Sequence, residues 1–348
     1  MTPGGPAVDL ERRAALNAAK LAALVNAHWG PGERTRHKLG AGAALIDPES
    51  SPARAWVLAD GPGDRSLGPA LVWAERLSAA EVHLVADPEP AGALARQAAL
   101  FADPAPTVWA VDGTSLVPAT AAPVPPRAEA PSPPELVDLL IDAGVEIVVE
   151  GGVLRGEVNG LEVARIVAGE TTAGVPLDAP LLEVGVGKAD RELTAMVHGA
   201  MTPVEQLTRV VDIVRRQRRP GAPRHPLNQL VPDRWLRAVL CRNPALVGLA
   251  SLRPAEGPRP RQNLTERDIA TAVGDTAAGD SAVVACTVGI SVDLVPAAAD
   301  ARAALDPDAR LILAVPARDD HPGTRRLAAR LRDPAEVVAI PGDWKAAG

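Results

Sequence analysis

Apart from tryptophan, the chain is almost devoid of aromatic residues: its 348 residues include six Trp, one Phe and no Tyr. Alanine, arginine and proline are abundant, as GC-rich codon usage produces, so this composition reports codon usage before it reports function. Hydrophobic residues make up 47% and charged residues 23% of the chain, close to the averages of globular proteins. At this length we expect two or three domains with a sizeable core.

Cysteine is scarce as well, with only Cys241 and Cys286 in the chain. They are far apart and each lies in an apolar run. We therefore predict buried thiols in a reducing compartment, without disulfide or metal spacing. The six histidines show no pairwise metal spacing, and no Gly-x-Ser-x-Gly, Walker A or Cys-x-x-Cys motif occurs. The sequence thus offers no support for a hydrolase of that type, an NTPase or a zinc protein.

Long hydrophobic runs and an excess of basic residues are also missing. The longest apolar run, from Ala282 to Ile290, falls far short of the ~20 residues that span a bilayer. No basic segment followed by an apolar one, the pattern of a secretory signal, occurs near the first residue. We therefore predict a soluble, cytoplasmic protein with no membrane partner. With a net charge of −7, any site for an anionic partner must be local.

Two segments of the chain carry the same alternation of strand and helix patterns. Residues 55–111 predict a β-α-β-α-β series, and residues 282–340 repeat that order with similar spacing. An Asp-Pro-Ala turn at 103–105 has a counterpart at 333–335, which supports the repeat. We predict an α/β fold in which two duplicated β-α-β-α-β (Rossmann-like) units flank a central α+β region. Their strands should be parallel, and the two units should pack together or share a sheet.

A proline-rich stretch at residues 118–133 predicts an extended linker. It separates an N-terminal α/β unit with a leading helix, at 1–117, from a central α+β region with a basic helix, at 134–262. The remaining residues, 263–348, are predicted to form the C-terminal α/β unit. The sequence therefore predicts three domains and one linker.

The central region contains the strongest short turn signal of the chain, the dipeptide Asn159-Gly160 between two strand patterns. A two-residue turn at this point places Glu157 opposite Glu162 on one face of a hairpin. Two opposed carboxylates repel each other, so a metal ion, an arginine or solvent must compensate them.

Two further residues extend this acidic group: Glu183 on the next predicted strand, and Lys188 in the glycine loop that leads into a helix. In its order of helix, three strands and helix, the segment 134–217 resembles the core of the PD-(D/E)xK nuclease superfamily. The resemblance implies that Glu157, Glu162 and Glu183 hold Mg²⁺ and that Lys188 assists the attacking water. The alternative is a solvated hairpin face on which arginines neutralise the glutamates.

Positive charge is concentrated between residues 209 and 242, which hold nine arginines and two aspartates. Because guanidinium groups bind phosphates bidentately, this segment predicts a surface for nucleic acid or another polyanion. The predicted contact residues are Arg215, Arg216, Arg218, Arg219 and Arg224. The alternative is a solvated helix end that pairs with acidic residues of a neighbouring domain.

These features predict a nucleic-acid-binding protein with a nuclease-like, metal-dependent phosphodiesterase site, for which Mg²⁺ is the candidate cofactor. A second hypothesis, from a different class, is a non-catalytic binding or scaffold protein that retains degenerate α/β domains. Binding of Mg²⁺, and its loss on Glu157→Gln, separates the two hypotheses.

Overall fold

The computed structural model describes residues 6–39, 42–58, 65–102, 104–168, 179–196, 201–259, 261 and 263–347. These residues form a mixed α/β fold with nine α-helices and three β-sheets. The chain divides into unit 1 (Met1–Val124, Ser291–Asp300 and His321–Glu336) and unit 2 (Pro125–Ile290, Ala301–Asp320 and Val337–Gly348). One boundary falls inside the predicted linker. Both units take residues from the predicted C-terminal domain, which is therefore not a unit by itself.

The helices are α1 (Pro6–Trp29), α2 (Leu67–Arg76), α3 (Pro88–Ala98), α4 (Pro134–Asp142), α5 (Gly187–Met196), α6 (Pro203–Gln217), α7 (Pro232–Arg242), α8 (Leu294–Leu305) and α9 (Pro322–Ala329). Local sequence explains the start of α6, because the Thr202 hydroxyl accepts from the Glu205 backbone N–H and the Glu205 carboxylate accepts from the Thr202 backbone N–H. This reciprocal capping box satisfies two backbone donors at the helix N-terminus. It also fixes where the arginine-rich end of α6 lies.

Unit 1 contains one six-stranded sheet in chain order, made of β1 (Thr35–Leu39), β2 (Gly42–Asp47), β3 (Arg54–Leu58), β4 (Glu81–Ala86), β5 (Thr107–Asp112) and β6 (Ser115–Pro118). The prediction of parallel strands is confirmed for β3, β4 and β5. The other strands run antiparallel to their neighbours. Helix α1 covers this sheet and buries Leu21 and Val25 against Trp56 and Val85.

Unit 2 contains a four-stranded antiparallel sheet in the order β10-β9-β8-β7. Its strands are β7 (Glu146–Glu150), β8 (Val153–Val158), β9 (Leu161–Val167) and β10 (Leu181–Val184). Helices α4 and α6 supply Leu140, Leu207, Val211 and Val214 to the apolar core of this sheet. These contacts position the β8–β9 hairpin, which carries the predicted acidic pair.

The second sheet of unit 2 is made of β11 (Ser251–Pro254), β12 (Ala270–Asp275), β13 (Ser281–Cys286), β14 (Arg310–Pro316) and β15 (Glu336–Ile340). Strands β13 and β14 are parallel, as predicted. The two predicted repeats lie in separate sheets, so of the two predicted alternatives, packing together or sharing a sheet, the shared sheet is excluded. Helix α7 packs Trp235, Leu236 and Val239 into the core of this second sheet.

Both cysteines are free thiols, and the prediction that they are buried is confirmed for Cys286 and holds in part for half-buried Cys241. Burial raises the pKa of Cys241 to about 11 and raises that of Cys286 further. Among the helices that the structure describes, none has the length and apolarity needed to cross a membrane.

Candidate functional site

The β8–β9 hairpin turns at Asn159-Gly160, and Glu157 faces Glu162 across the two strands, as predicted. Asn159 and Gly160 both have positive φ, 47° and 73°, which is the backbone that this dipeptide favours. Next to this pair, Gly156 pairs with Ala164, so Val163 of β9 has no partner on β8 and forms a β-bulge. Such a bulge re-aims the side chains next to it.

The two carboxylates are buried rather than solvated, with Glu157 1% and Glu162 2% exposed. Glu157 accepts hydrogen bonds from Arg234 Nη1 at 3.1 Å and from Arg237 Nη2 at 2.8 Å. Burial alone would raise the pKa of Glu157, but these two guanidinium groups outweigh it and hold the pKa below its ordinary value. The compensation left open by the sequence is therefore supplied by arginine.

Glu162 is neutralised in the same way by two other arginines. It accepts hydrogen bonds from Arg155 and, at 2.9 Å, from Arg191 Nη1 of α5. Burial lowers the pKa of Arg191, against the opposing effect of Glu162. Glu150 at the end of β7 adds a third carboxylate, which pairs with Arg234 and Arg155. Arginines and glutamates thus alternate across this face of the sheet.

Glu183 and Lys188 do not join the acidic pair. Glu183 lies 2.7 Å from Arg165 and 3.4 Å from Arg191. The Lys188 side chain is 85% exposed and lies 3.7 Å from Glu192, one helical turn away on α5. For the described residues, no ion pair links Lys188 to Glu157, Glu162 or Glu183, although Lys188 and Glu162 line the same cavity.

The acidic pair already has its counter-charge. Each carboxylate oxygen of Glu157 and of Glu162 accepts a hydrogen bond from an arginine, so arginine supplies here the positive charge that a magnesium ion would bring. Within the described ranges, no group of three or more His, Cys, Asp or Glu residues could hold a metal ion. Metal-dependent cleavage therefore stays a prediction from the sequence, and we derive no step through a metal.

Instead, positive side chains line a cavity of about 260 Å³ beside this network. Its cationic wall consists of Arg155, Arg165, Lys188, Arg191, Arg234 and Arg261, and its acidic wall is Glu162. Asn263, Leu264 and the first residue of α5, Gly187, complete the lining. We name this space the cationic cavity. Its lining is mainly positively charged, whereas the metal site predicted from the sequence would be negatively charged.

Arg218, one of the five predicted nucleic-acid contacts, is buried. Its guanidinium group donates to the carbonyl oxygens of Asn159, Leu227 and Leu230 at 2.8–3.0 Å, and it lies 4.6 Å from the centre of the Trp235 ring. Burial lowers the pKa of Arg218 to about 10. The prediction that Arg218 contacts nucleic acid is corrected, because its donors hold the hairpin tip and the 227–230 loop together.

The other four predicted contacts are exposed: Arg215, Arg216, Arg219 and Arg224. Arg215 Nη2 donates to the carbonyl oxygens of Ala143 and Gly144 at the end of α4. In the part of the chain that the structure describes, no ion pair to a carboxylate is found for any of the four. We name these four exposed arginines, which lie in the last turn of α6 and in the seven residues after it, the arginine surface.

Sequence reasoning missed Arg191, Arg234, Arg237 and Arg261 as members of the network. The available signal was helix α7, in which charged residues alternate with large apolar ones over only eleven residues. A helix of that composition is buried on several sides, and its charged groups then need partners. The structure confirms this, since Asp233 through Leu240 are all buried.

Comparison of the chain with protein-family models, with curated proteins and with solved structures gave no match in any of the three.

Proposed function

We propose that this protein binds the phosphate backbone of nucleic acid through the arginine surface and does so without a catalytic centre. One observation carries the proposal: seven of the nine arginines in the 209–242 segment fall into two classes. Arg218, Arg234 and Arg237 are buried against carbonyl or carboxylate oxygens, whereas the four residues of the arginine surface face solvent. In the second class, Arg215 donates to the carbonyl oxygens of Ala143 and Gly144, and within the described residues no side-chain hydrogen bond is found for Arg216, Arg219 or Arg224.

The charge of this surface exceeds what the helix end requires. The C-terminus of a helix carries roughly half a negative charge, which one nearby cation offsets. The arginine surface supplies four positive charges, and the exposed acidic residues of α6, Glu205 and Asp212, precede it in the chain. A surplus of positive charge at a protein surface favours a polyanionic partner.

Recognition at this surface should depend on phosphates rather than bases. The sequence has no Trp, Tyr or Phe between Trp109 and Trp235, so no side chain of these types in the 201–231 segment can stack on a base. Guanidinium groups alone bind phosphate oxygens with little regard to base identity. We therefore expect affinity for single- and double-stranded DNA and RNA alike.

The buried network favours a binding protein over a phosphodiesterase. A nuclease of the resembled type needs carboxylates that are free to hold a metal, and here Glu157 and Glu162 are neutralised by arginines. This supports the second sequence hypothesis for the acidic hairpin and leaves nucleic-acid binding to the exposed arginines.

The proposal is tested by fluorescence anisotropy with labelled DNA and RNA oligonucleotides over a range of salt concentrations. For the variant Arg216→Ala/Arg219→Ala/Arg224→Ala we expect weaker binding at low salt. The slope of log K against log salt should flatten by roughly one unit for each phosphate that the protein no longer neutralises, because fewer counterions are released. Folding should persist, since all three side chains are exposed.

A matched control removes the same net charge elsewhere. Arg12, Arg36 and Arg76 are exposed residues of unit 1, and their triple alanine variant changes the net charge by the same amount. We expect this control to bind like the wild type. Equal weakening by both triple variants, or no binding by the wild type at low salt, would overturn the proposal.

A further inference from the structure

The cationic cavity is built from arginines whose positions are fixed by carboxylates that lie mostly behind them. Arg234 pairs with Glu150 and Glu157, Arg165 with Glu183, and Arg261 with Asp233. None of these four carboxylates lines the cavity; the carboxylate in its described lining is Glu162. The guanidinium groups are therefore held in place without covering the cavity wall with negative charge.

Burial increases from the rim of the cavity to its floor. At the rim, the Lys188 side chain is 85% exposed and that of Arg165 is 28% exposed. At the floor, the side chains of Arg234 and Arg261 are 3% and 4% exposed. A nucleic-acid backbone cannot reach such a floor, so the cavity suits a small molecule.

The cavity walls have more donors than the ion pairs consume. An arginine carries five N–H donors, and Arg191 uses Nη1 for its hydrogen bond to Glu162. The buried Nε atoms of Arg155 and Arg191 make no hydrogen bond within the described residues, although each lies within ion-pair distance of a carboxylate. Gly187 and Lys188 add the N-terminus of α5, which favours anions.

We propose that the cationic cavity binds the phosphoryl group of a small phosphate monoester, held by Arg155, Arg165 and Arg191 at the N-terminus of α5. A monoester carries close to two negative charges near neutral pH and offers three acceptor oxygens. Planar guanidinium groups match this geometry bidentately. The volume of about 260 Å³ lies just below the ~300–1,000 Å³ of typical ligand sites, so the rest of the ligand must be small.

This site is independent of the proposed nucleic-acid surface. None of Arg215, Arg216, Arg219 and Arg224 lines the cationic cavity. Loss of phosphate binding and loss of nucleic-acid binding are therefore measured with different variants and different probes, and either proposal can fail while the other holds.

The test uses isothermal titration calorimetry of the full chain with inorganic phosphate at constant ionic strength. Arg165→Gln and Glu183→Gln both break the partly exposed ion pair between Arg165 and Glu183, and Glu183→Gln also removes the 3.4 Å contact with Arg191. We expect Arg165→Gln to weaken phosphate binding roughly tenfold, as loss of a charge-assisted hydrogen bond predicts. Glu183→Gln should bind phosphate at least as tightly as the wild type, because a nearby negative charge is gone.

The identity of the ligand group is tested with two further probes. Binding of phosphate should tighten as the pH is raised from 6 to 8, because the second ionisation creates the dianion. Dimethyl phosphate, a diester with one charge and two ester oxygens, should bind at least tenfold more weakly than phosphate. The proposal is overturned if the wild type gives no heat with phosphate, if both glutamine variants weaken binding equally, or if the diester binds as tightly as phosphate.

Discussion

Glu157 shows at the residue scale how a buried charge is kept in this fold. Its carboxylate is 1% exposed and is tied to two arginines of α7. Burying a charge in this way does not by itself stabilise a protein, because desolvation costs about as much as the ion pairs return. Removing Glu157 is different, since Arg237 then remains buried without its carboxylate partner and Arg234 keeps only Glu150.

We therefore expect Glu157→Gln to destabilise the protein by about 3 kcal/mol at neutral pH, because Arg234 and Arg237 lose their shared anion. Urea denaturation measures this change. Glu192→Gln is the control, because Glu192 pairs with the exposed Lys188, and its removal should cost less than about 1 kcal/mol. Equal effects of the two substitutions would show that the Glu157 network is not the source of stability.

The same residue sets a pH dependence. The pKa of Glu157 in the folded chain lies below its ordinary value of 4.5. The stability that ionised Glu157 contributes is therefore fully present above pH 4.5 and is lost as the pH falls through the folded pKa. The difference in unfolding free energy between wild type and Glu157→Gln should shrink correspondingly below pH 4.5.

Residue-scale prediction from the sequence succeeded where the cause is local. The Asn159-Gly160 turn fixes the pairing of Glu157 with Glu162 within six residues of chain. Their arginine partners could not be predicted in this way, because Arg234 and Arg237 follow 77 and 80 residues after Glu157. Only the tertiary fold brings them together.

Arg218 could have been placed correctly by periodicity. Val211, Val214 and Arg218 follow the three- and four-residue spacing of one helix face, and all three are buried. The sequence prediction placed Arg218 with the exposed arginines because all of them are basic, whereas the helical period predicts that Arg218 is buried.

At the scale of elements, strands β3, β4 and β5 carry an aromatic cluster beneath the end of α1. The His83 ring on β4 stacks on Trp56 of β3 at 5.8 Å, and its Nδ1 accepts from Trp109 Nε1 at 3.2 Å. Trp29 of α1 contacts all three rings. The cluster joins the helix to the sheet through side chains that the sequence places on four separate elements.

This cluster predicts a second pH dependence. Burial, assisted by the positive charge of Arg54, lowers the pKa of His83 from 6.5 to about 4. Between these values the unfolded chain binds a proton that the folded chain does not, so stability falls as the pH is lowered through this window. The substitution His83→Phe keeps a ring of similar size but cannot bind a proton. We expect it to reduce the loss of unfolding free energy over this pH window by about 1–3 kcal/mol.

The measurement is urea denaturation between about pH 5 and 6.5, where the change from His83 is separated from most carboxylate titrations. His37→Phe is the control, since His37 lies on strand β1 against Trp73, outside the cluster. The prediction fails if His83→Phe has the same pH slope as the wild type.

Some elements escaped prediction because their sequences lack the expected period. Strand β11 has only four residues, and β11 and β12 both follow Pro- and Gly-containing segments, so no two-residue alternation stands out. Helix α7 does have a helical period, since Trp235, Leu236, Val239 and Leu240 recur at that spacing, but its position inside the arginine-rich segment obscured it. The elements that were predicted correctly, such as α8 and β13, combine a clear length with a bounded apolar run.

At the scale of the whole molecule, the order of elements repeats further than the sequence predicts. The series α1-β1-β2-β3-α2-β4-α3-β5 and the series α7-β11-β12-β13-α8-β14-α9-β15 follow a similar succession of helices and strands. In each series antiparallel pairing precedes the first parallel pairing. A shared order favours duplication, which stays a prediction.

Corresponding positions of the predicted repeats also meet within unit 1. Phe101 and Leu331 form an antiparallel bridge, flanked by hydrogen bonds from Ala102 to Arg330 and from Arg332 to Leu100. The two bonds are reciprocal: in each, the residue that follows the bridge in one repeat donates to the residue that precedes it in the other. Any antiparallel bridge of this type has such reciprocal bonds; here the bridge joins corresponding positions of the predicted repeats.

The reciprocal arrangement extends to two ion pairs. Arg96 of α3 binds both carboxylate oxygens of Asp300 on α8, at 2.7 and 2.9 Å, and Arg326 of α9 pairs with Glu75 on α2. Arg96 and Arg326 occupy corresponding positions in the predicted repeats, but their environments differ. The Asp300 side chain is 4% exposed, whereas that of Arg326 is 61% exposed.

The two arginines should therefore contribute unequally to stability despite their corresponding positions. Arg96→Ala leaves a buried carboxylate without its bidentate partner, and we expect a loss of about 2–4 kcal/mol. Arg326→Ala breaks a solvent-screened pair and should cost less than about 1 kcal/mol. Urea denaturation of both variants, and of Arg96→Ala/Asp300→Asn, measures the difference. Recovery of stability in the double variant would assign the loss to the stranded aspartate, whereas equal losses for the two single variants would contradict the unequal burial on which the prediction rests.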